Sequence, residues 1–238
     1  MRSRLKTEIW IILTITFGMS GLRSVLRLIN DLLSPTPLNQ QTTTLNSSQS
    51  QIVWLDLAFQ LCGAAVLLAW AALALYLLNE RPKRPRGRDV AWGAGLAAVI
   101  GIPGLGFYVG AVHLGLSKVV VPEAITHPAI TVPVLLLWSL ANAVGEEVVV
   151  VKWLSTRLSQ LGWAEPAILA ASAVLRGSYH LYQGVSTGVG NIVMGLVYGL
   201  FFAKTGRVWP LIVGHFLIDA VAFVGGSALG GHVSWLGL

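Results

Sequence analysis

Two adjacent glutamates, Glu146 and Glu147, lie inside an apolar stretch of the chain, between Gly145 and four valines at positions 148–151. Within a membrane, each ionisable side chain costs about 2.5–3.5 kcal/mol on insertion scales. Adjacent carboxylates also repel each other, so one of the two is expected to be protonated near neutral pH. A helix gains no stability from such a pair, which indicates a chemical role. The alternative is that the membrane segment ends at Gly145 and that both glutamates lie in headgroup water.

Further ionisable side chains interrupt two later apolar segments. Arg176 and His180 are four residues apart in one segment, and His215 and Asp219 are four residues apart in another. Residues at this spacing lie on the same face of a helix, so each pair is predicted to point in one direction. A single histidine would more often be a buried residue satisfied by a neighbour. Here three separate segments carry ionisable groups, and each group has a similar cost of insertion into the membrane. A cost repeated in three segments favours a common functional site.

These side chains suit hydrolysis, because a carboxylate can take a proton from water and a nearby imidazole can hold or transfer that proton. A histidine–aspartate pair could donate hydrogen bonds to a developing oxyanion. Glu146, His180 and His215 could instead bind zinc, since carboxylates and imidazoles are zinc ligands. No histidine is directly followed by glutamate, so the HExxH motif is absent, and we favour water activation without a cofactor. A proton relay is the third possibility, since Asp, Glu and His side chains also serve pumps.

The composition indicates that membrane-spanning helices carry these residues. Hydrophobic residues make up 55% and charged residues 11% of the 238 residues, whereas a soluble domain normally has about 25% charged residues. Apolar segments suited to spans of about 20 residues lie at residues 9–30, 52–79, 90–112, 129–151, 164–183, 187–204 and 208–226. The sequence therefore predicts an all-α, polytopic bundle of about seven transmembrane helices. Its single cysteine excludes an internal disulfide.

The distribution of charge predicts the orientation of this bundle. The polar loop 31–51 has no charged residue after Asp31 and is predicted to be external. The loop 80–89 contains the basic run 81–88 and is predicted to be cytoplasmic by the positive-inside rule. The N-terminus is then cytoplasmic and the C-terminus external, in a multi-pass protein of the cell membrane that is surrounded by lipids. The net charge of +6 comes from short runs between apolar segments, so no nucleic-acid partner is expected.

In their order along the chain, the motifs resemble those of the CAAX prenyl endopeptidase and bacteriocin-processing family (CPBP, or Abi) of intramembrane proteases. The pattern of that family is a glutamate pair in EExxxR, a later FxxxH and a final HxxxN or HxxxD. Here these motifs correspond to Glu146-Glu147, then His180, then His215 with Asp219. The resemblance covers about residues 134–226. It divides the chain into N-terminal spans with three helices (1–128) and a CPBP-like protease core (129–238).

The resemblance implies a helical fold with a catalytic cavity among the last four spans. Glu146 would activate water with His180, and Glu147 would assist. His215 and Asp219 would form the oxyanion site. The implied function is cleavage of a membrane-associated peptide or protein by a glutamic endopeptidase, or by a metal-dependent one if zinc binds. The alternatives are a catalytically silent immunity or scaffold protein of the same fold and, more distantly, a proton-coupled transporter; substrate identity and oligomeric state stay open.

The chain departs from the family pattern in the position of its cation. Val151 replaces the arginine of EExxxR, with Lys152 beside it, and Arg176 replaces the phenylalanine of FxxxH. Lys152 or Arg176 could supply the missing positive charge. An arginine at membrane depth needs an anion, so we predict that Arg176 pairs with Glu147 and leaves Glu146 free for water. The alternative is that Arg176 extends to the interface.

The predicted spans place Glu146 and His180 at different depths in the membrane. Spans of equal length would place Glu146 near the cytoplasmic end of its helix and His180 far along the next one. The two residues meet only if the fourth span continues beyond Lys152, or if the fifth begins late, after Glu165-Pro166.

Overall fold

A computed structural model describes residues 2–80, 83–121, 125 and 127–228 of the chain. The helices of this part, in chain order, are α1 (Arg2–Ile15), α2 (Phe17–Leu32), α3 (Val53–Leu78), α4 (Gly87–His113), α5 (Pro128–Glu146), α6 (Leu154–Gln160), α7 (Glu165–Ser178), α8 (Val185–Thr205), α9 (Trp209–Ala220) and α10 (Gly226–Ala228). Two short strands, β1 (Thr42–Thr44) and β2 (Val119–Val121), form a parallel pair. The all-helical prediction is confirmed, although these strands were not predicted.

Helices dominate because lipid offers no partner for backbone N–H and C=O groups, which a helix satisfies within itself. Four helical segments are long and apolar enough to cross a membrane: Val53–Leu78, Gly87–His113, Pro128–Gln160 and Val185–Thr205. The pair α1 and α2, which is bent by 50°, makes a fifth if it is counted as one span. The predicted number of about seven spans is therefore not confirmed.

The difference in number comes from the fifth and seventh predicted segments. Helix α7 has 14 residues and is about 21 Å long at 1.5 Å per residue, which is less than the hydrocarbon thickness of about 30 Å. The last apolar segment is a helix from Trp209 that continues to Gly225 as a π-helical turn, and it is also shorter than a full span. A hydropathy pattern counts apolar residues, but it does not detect where a helix stops.

The fourth predicted segment is longer than expected. Helix α5 continues through a seven-residue π-helix, Glu147–Trp153, into α6, so that the helical run ends at Gln160 and not at residue 151. This extension meets the first of the two conditions under which Glu146 and His180 come to the same depth. The other condition, a late start after Glu165-Pro166, is not observed, because α7 begins at Glu165 itself. Pro166 suits this start, since proline is favoured in the first helical turn.

One sequence prediction about His180 is wrong. Helix α7 ends at Ser178, so His180 lies in the turn that follows and does not share a helix face with Arg176. The chain reverses its direction between α7 and α8. A short 3₁₀ turn at residues 181–183 makes part of this reversal. Gly184 completes it with a φ of +123°, which residues other than glycine rarely adopt.

Segments that were predicted to lie on the external side meet at one end of the bundle. Thr43 of the polar loop pairs with Val120 in the β1–β2 ladder. Ser117, which precedes β2, forms an isolated bridge with Gly184 between α7 and α8. Three loops separated by whole helices therefore lie together, as the predicted order of spans requires.

The loops predicted to be cytoplasmic meet at the opposite end. Lys83 Nζ donates to the backbone oxygen of Thr205 at 3.2 Å, and Lys152 Nζ lies 2.8 Å from Glu80 Oε2. Arg207 forms an ion pair with Asp89, at the start of α4. These contacts connect residues of loop 80–89 to Lys152 and to the segment around Thr205 and Arg207, between α8 and α9. Which end faces the cytoplasm stays a prediction, and so does the division of the chain at residue 128.

Candidate active site

The centre of the site is a buried ion pair between two helices. Arg176 Nη2 of α7 lies 2.5 Å from Glu147 Oε1, and both side chains have 0% exposure. Arg176 Nη1 lies 3.5 Å from Glu146 Oε2, at the longer distance of a secondary contact. The predicted pairing of Arg176 with Glu147 is therefore confirmed. The alternative, an arginine that extends to the interface, is wrong because the guanidinium is fully enclosed.

His215 of α9 contacts the same oxygen of Glu147. Its Nδ1 lies 2.8 Å from Glu147 Oε1, and the ring is 5% exposed. An ionised carboxylate only accepts hydrogen bonds, so Nδ1 carries the proton and donates it to this oxygen. Glu147 Oε1 thus accepts from both Arg176 and His215 and joins α7 to α9. Glu147 therefore has two close partners, Arg176 and His215, whereas Arg176 is 1 Å farther from Glu146 than from Glu147.

Glu146 has a different set of neighbours. Its Oε2 accepts a hydrogen bond of 2.8 Å from the hydroxyl of Tyr179, and the residue is 6% exposed. Glu146 also interacts electrostatically with His180 and His215. A carboxylate that is hydrogen-bonded through one oxygen and interacts with two imidazoles suits the acceptance of a proton from water.

The ring of His180 is oriented by a backbone contact. Its Nδ1 lies 3.0 Å from the carbonyl oxygen of Arg176. Because a carbonyl oxygen only accepts, Nδ1 carries the proton and Nε2 keeps its lone pair. The ring is partly buried and stacks at 4.7 Å on the ring of Tyr179. His180 can therefore accept a proton at Nε2.

Asp219 lies beside His215 but outside hydrogen-bond distance. Asp219 Oδ1 is 3.6 Å from His215 Nε2, and Asp219 Oδ2 accepts a 3.2 Å hydrogen bond from Asn142 Nδ2. Asn142 precedes Glu146 by one helical turn of α5, so it faces the same side of the helix. The amide nitrogen of Asn142 has two donor hydrogens, and Asp219 uses one of them.

The cation of the site comes from α7 because Val151 is committed to apolar packing. Val151 is fully buried in a cluster with Met194 and Tyr198. Arg176 touches the same two residues: its Nη1 lies 3.7 Å from the sulfur of Met194, and its guanidinium carbon lies 5.7 Å from the centroid of the Tyr198 ring. The guanidinium and the side chain of Val151 therefore share Met194 and Tyr198 as neighbours.

Lys152 is the one predicted site residue whose charged group is directed elsewhere. Its Nζ contacts Glu80, at the end of the bundle where loop 80–89 lies. Lys152 and Glu80 line a cavity of about 340 Å³ there, and a second cavity of about 250 Å³ is lined by Arg4 and Glu8 among others. Neither cavity is lined by the two glutamates or the site histidines, so the predicted catalytic cavity stays a prediction.

Several functional neighbours were missed from the sequence. Asn142 carried a readable signal, since it is a polar residue one helical turn before Glu146 within an apolar run. Tyr179 and Tyr198 carried none, because a tyrosine is ordinary in a membrane helix. Three side-chain atoms at the centre are buried without a hydrogen-bond partner among the described residues: Glu147 Oε2, Arg176 Nε and the Tyr198 hydroxyl.

The optional zinc set does not form a metal site in the described part of the chain. No group of three or more His, Cys, Asp or Glu side chains is arranged there to hold a metal ion. His215 Nδ1 is directed at Glu147 Oε1, which also contacts Arg176, so this nitrogen is already engaged by a carboxylate outside the proposed zinc set.

Comparison with known proteins gives one family match. Residues 128–221 match the family model described as type II CAAX prenyl endopeptidase Rce1-like. No curated protein and no solved structure matches the chain. The match includes both glutamates, His180, His215 and Asp219, and it confirms the resemblance to the CPBP family. It points to an intramembrane protease and suggests CAAX protease activity for a multi-pass membrane protein.

Proposed function

We propose, from the family match of residues 128–221, that the protein is an intramembrane endopeptidase that cleaves a membrane-associated peptide or protein with water activated by Glu146 and His180. The observation that carries this proposal is the meeting of ionisable side chains from three apolar helices in a buried cluster. Each of these groups is costly within a membrane, and packing alone would not require Glu146, His180 and His215 to converge.

In this mechanism, Glu146 accepts a proton from water while the water oxygen attacks the carbonyl carbon of the scissile peptide bond. The tetrahedral intermediate then collapses, the C–N bond breaks, and the proton passes to the leaving amine. His180 Nε2 has a free lone pair and can orient the water or carry the proton between these steps. The peptide is thereby split into a carboxylate and an amine.

Glu147 has a supporting role. Its Oε1 is engaged by Arg176 and His215, which leaves Glu146 as the carboxylate that exchanges protons. The positive charge of Arg176 also limits the repulsion between the two glutamates. This division of labour explains why adjacent carboxylates can share one buried site.

The oxyanion of the intermediate needs hydrogen-bond donors. His215 is close enough to contribute electrostatically, but an ionised Asp219 would repel a second negative charge. Asp219 is therefore assigned an electrostatic role towards His215, whose Nε2 lies 3.6 Å from its Oδ1. The spare donor hydrogen of Asn142, whose amide already contacts Asp219, offers a neutral donor beside that pair.

A catalytically silent protein of the same fold is the second candidate. The observation that favours it is Val151 at the position of the family arginine, since the neighbouring Lys152 directs its charge to Glu80 and away from the glutamates. Arg176 weakens this candidate, because it supplies a guanidinium to Glu147 from α7.

The decisive experiment measures cleavage by purified protein reconstituted in lipid vesicles. The substrates are prenylated CAAX peptides and unprenylated membrane-anchored peptides. Glu146→Gln should lower the cleavage rate by about 10²–10⁴-fold, the usual contribution of general acid–base catalysis. Glu165→Gln, an exposed glutamate at the start of α7, is the matched control and should be unaffected. Cleavage by Glu146→Gln at the wild-type rate would exclude Glu146 as the base.

The proposed reaction uses no metal, and the same assay tests this. Activity should survive incubation with a chelator and dialysis, with no stoichiometric metal in elemental analysis of the active protein. Stoichiometric zinc whose removal abolishes cleavage, and whose return restores it, would reverse the assignment of water activation to the carboxylate and imidazole alone.

A further inference from the structure

The bent helix pair at the N-terminus, which lies outside the matched segment, reaches the site through one aromatic contact. Thr16, between α1 and α2, has a non-helical backbone with φ −125° and ψ −129°, and α2 begins at Phe17. The ring of Phe17 is buried, with its centroid 4.9 Å from that of Tyr179 and 5.4 Å from that of Trp70 on α3. The break in the helix therefore places one aromatic side chain against the turn that follows α7.

Helix α2 approaches that turn closely. A Cβ atom at Gly21 would lie 2.3 Å from the hydroxyl oxygen of Ser178, so only glycine permits this approach without a shift. One turn further on, Ser24 Oγ accepts a hydrogen bond of 2.7 Å from the backbone N–H of Tyr182. Helix α2 thus holds the turn 179–182 by packing at one point and by a hydrogen bond at another.

Tyr179 passes this support on to the candidate base. Its hydroxyl donates to Glu146 Oε2 at 2.8 Å, and its ring stacks on that of His180. Tyr179 follows the last residue of α7, so packing against Phe17, rather than a continuing helix, determines the direction of its side chain. A chain of contacts leads from α2 through Phe17 and Tyr179 to Glu146.

We propose that Tyr179 is a positioning residue for Glu146, and that Phe17 of the N-terminal helix pair holds Tyr179 in place. This inference rests on the proposed role of Glu146 as the base. The phenol occupies Oε2 and fixes the rotation of the carboxylate, so that Oε1 is the oxygen that takes the proton from water. The N-terminal helices are then part of the catalytic architecture, although the family match does not include them.

The first test removes only the hydroxyl. Tyr179→Phe keeps the ring and its packing, and should lower kcat by about ten- to hundredfold, the effect of one buried hydrogen bond to a charged group, with KM unchanged. Tyr182→Phe is the matched control, because the Tyr182 hydroxyl accepts a hydrogen bond of 2.8 Å from Gln183 and donates none to Glu146 among the described residues. Equal kcat values for Tyr179→Phe and wild type would overturn the proposal.

The second test asks whether Phe17 acts through that hydroxyl. Phe17→Leu should lower kcat in the wild-type background and have little further effect when combined with Tyr179→Phe, since the hydroxyl that it positions is already absent. Melting temperatures in detergent establish that each variant is folded. Fully additive losses in the double variant would contradict the role of Phe17.

A third measurement does not depend on turnover. The infrared difference between wild type and Glu146→Gln identifies the carboxylate band of Glu146. Tyr179→Phe should shift this band, and Tyr182→Phe should leave it in place. An unshifted band would overturn the inference, whether or not the protein cleaves peptides. A shifted band in a protein that cleaves none of the substrates would contradict the proposed function and leave the hydrogen bond to Glu146 established.

Discussion

At the scale of single residues, Glu146 and Glu147 are neighbours in sequence with different surroundings. Glu147 accepts from Arg176 and His215 and is fully enclosed, whereas Glu146 accepts from the neutral hydroxyl of Tyr179. A buried guanidinium that loses its anion is left uncompensated, whereas a neutral hydroxyl can turn to another acceptor. The two carboxylates therefore differ in what their removal does to the folded protein.

This difference predicts opposite stability effects for two isosteric changes. Glu147→Gln leaves the charge of Arg176 uncompensated and should lower the free energy of unfolding by about 3–5 kcal/mol. Glu146→Gln removes a buried charge that Arg176 contacts only at 3.5 Å, and should leave stability nearly unchanged while it abolishes cleavage. Unfolding in mixed detergent micelles measures both. Equal destabilisation by the two changes would contradict the assignment of Arg176 to Glu147.

The position of the cation can be tested by moving it. Arg176→Lys should reduce activity strongly. The planar guanidinium of arginine can contact both glutamates through different nitrogens, whereas the single ammonium nitrogen of lysine cannot. Val151 and Arg176 contact the same residues, Met194 and Tyr198, so an arginine at position 151 can direct its guanidinium towards the same space. The double variant Val151→Arg with Arg176→Leu should therefore recover part of the activity that Arg176→Leu loses. A double variant no more active than Arg176→Leu would show that the helix of origin matters.

At the scale of elements, the site depends on the close packing of α7 against α8. A Cβ atom at Gly177 would lie 2.7 Å from the carbonyl oxygen of Gly188 and 2.4 Å from Cγ1 of Ile192. A backbone oxygen cannot rotate away as a side chain can, so a larger residue must separate the helices. Gly177 lies between Arg176 and the turn that carries Tyr179 and His180, and a shift of α7 would move all three.

We therefore predict that Gly177→Ala lowers both stability and activity. The strain of an extra methyl group in a tight contact is expected to cost about 1–3 kcal/mol. Gly190→Ala on α8 is the control, because the nearest atom to a Cβ there is 4.0 Å away and alanine is the better helix former. The temperature of thermal unfolding and the cleavage rate should both be lower for Gly177→Ala than for Gly190→Ala. Wild-type stability and activity in Gly177→Ala would argue against the close packing of α7 and α8.

The π-helix after Glu146 is the other element that shapes the site. It begins at Glu147 and runs to Trp153, and a second π-helical turn, Val221–Gly225, follows Asp219. Such turns are frequent at functional sites. Glu147 is the first residue of this π-helix, so the change in helical winding begins at the residue that meets Arg176 of α7 and His215 of α9.

At the scale of the whole molecule, the contacts sort the loops into two ends. The polar loop 31–51, strand β2 and Gly184 lie together at one end, and loop 80–89, Lys152 and Arg207 lie together at the other. Along the chain, helices alternate between the two groups, which agrees with the predicted orientation. Contacts between loops do not distinguish the cytoplasmic end from the external end, whereas the basic residues do.

Labelling of single cysteines in intact cells tests this orientation. In a background with Cys62→Ala, Ser48→Cys should react with a reagent that does not cross the membrane, and Arg84→Cys should react only after lysis. Both positions are exposed, so accessibility to water does not differ between them. External labelling of Arg84→Cys in intact cells, with Ser48→Cys protected, would reverse the topology.

The sequence by itself determined that the protein lies in a membrane and which ionisable residues are anomalous in its apolar segments. The apolar segments and the insertion cost of a charged group are properties of local sequence, so helices, membrane and the anomalous Glu146, Glu147, His215 and Asp219 could be recognised without a structure. The contact between Arg176 and Glu147 could also be predicted, because a buried arginine requires an anion and few anions are available in apolar segments.

The tertiary structure decided everything that depends on depth and on packing between helices. The end of α7 at Ser178, and with it the place of His180 in a turn, follows from the reversal of the chain into α8. Tyr179, which donates to Glu146, packs against Phe17, a residue that precedes it by more than 150 positions in the sequence. Such contacts join helices whose relative depth and rotation are set by small residues and side-chain packing, and no periodicity within a single segment records them.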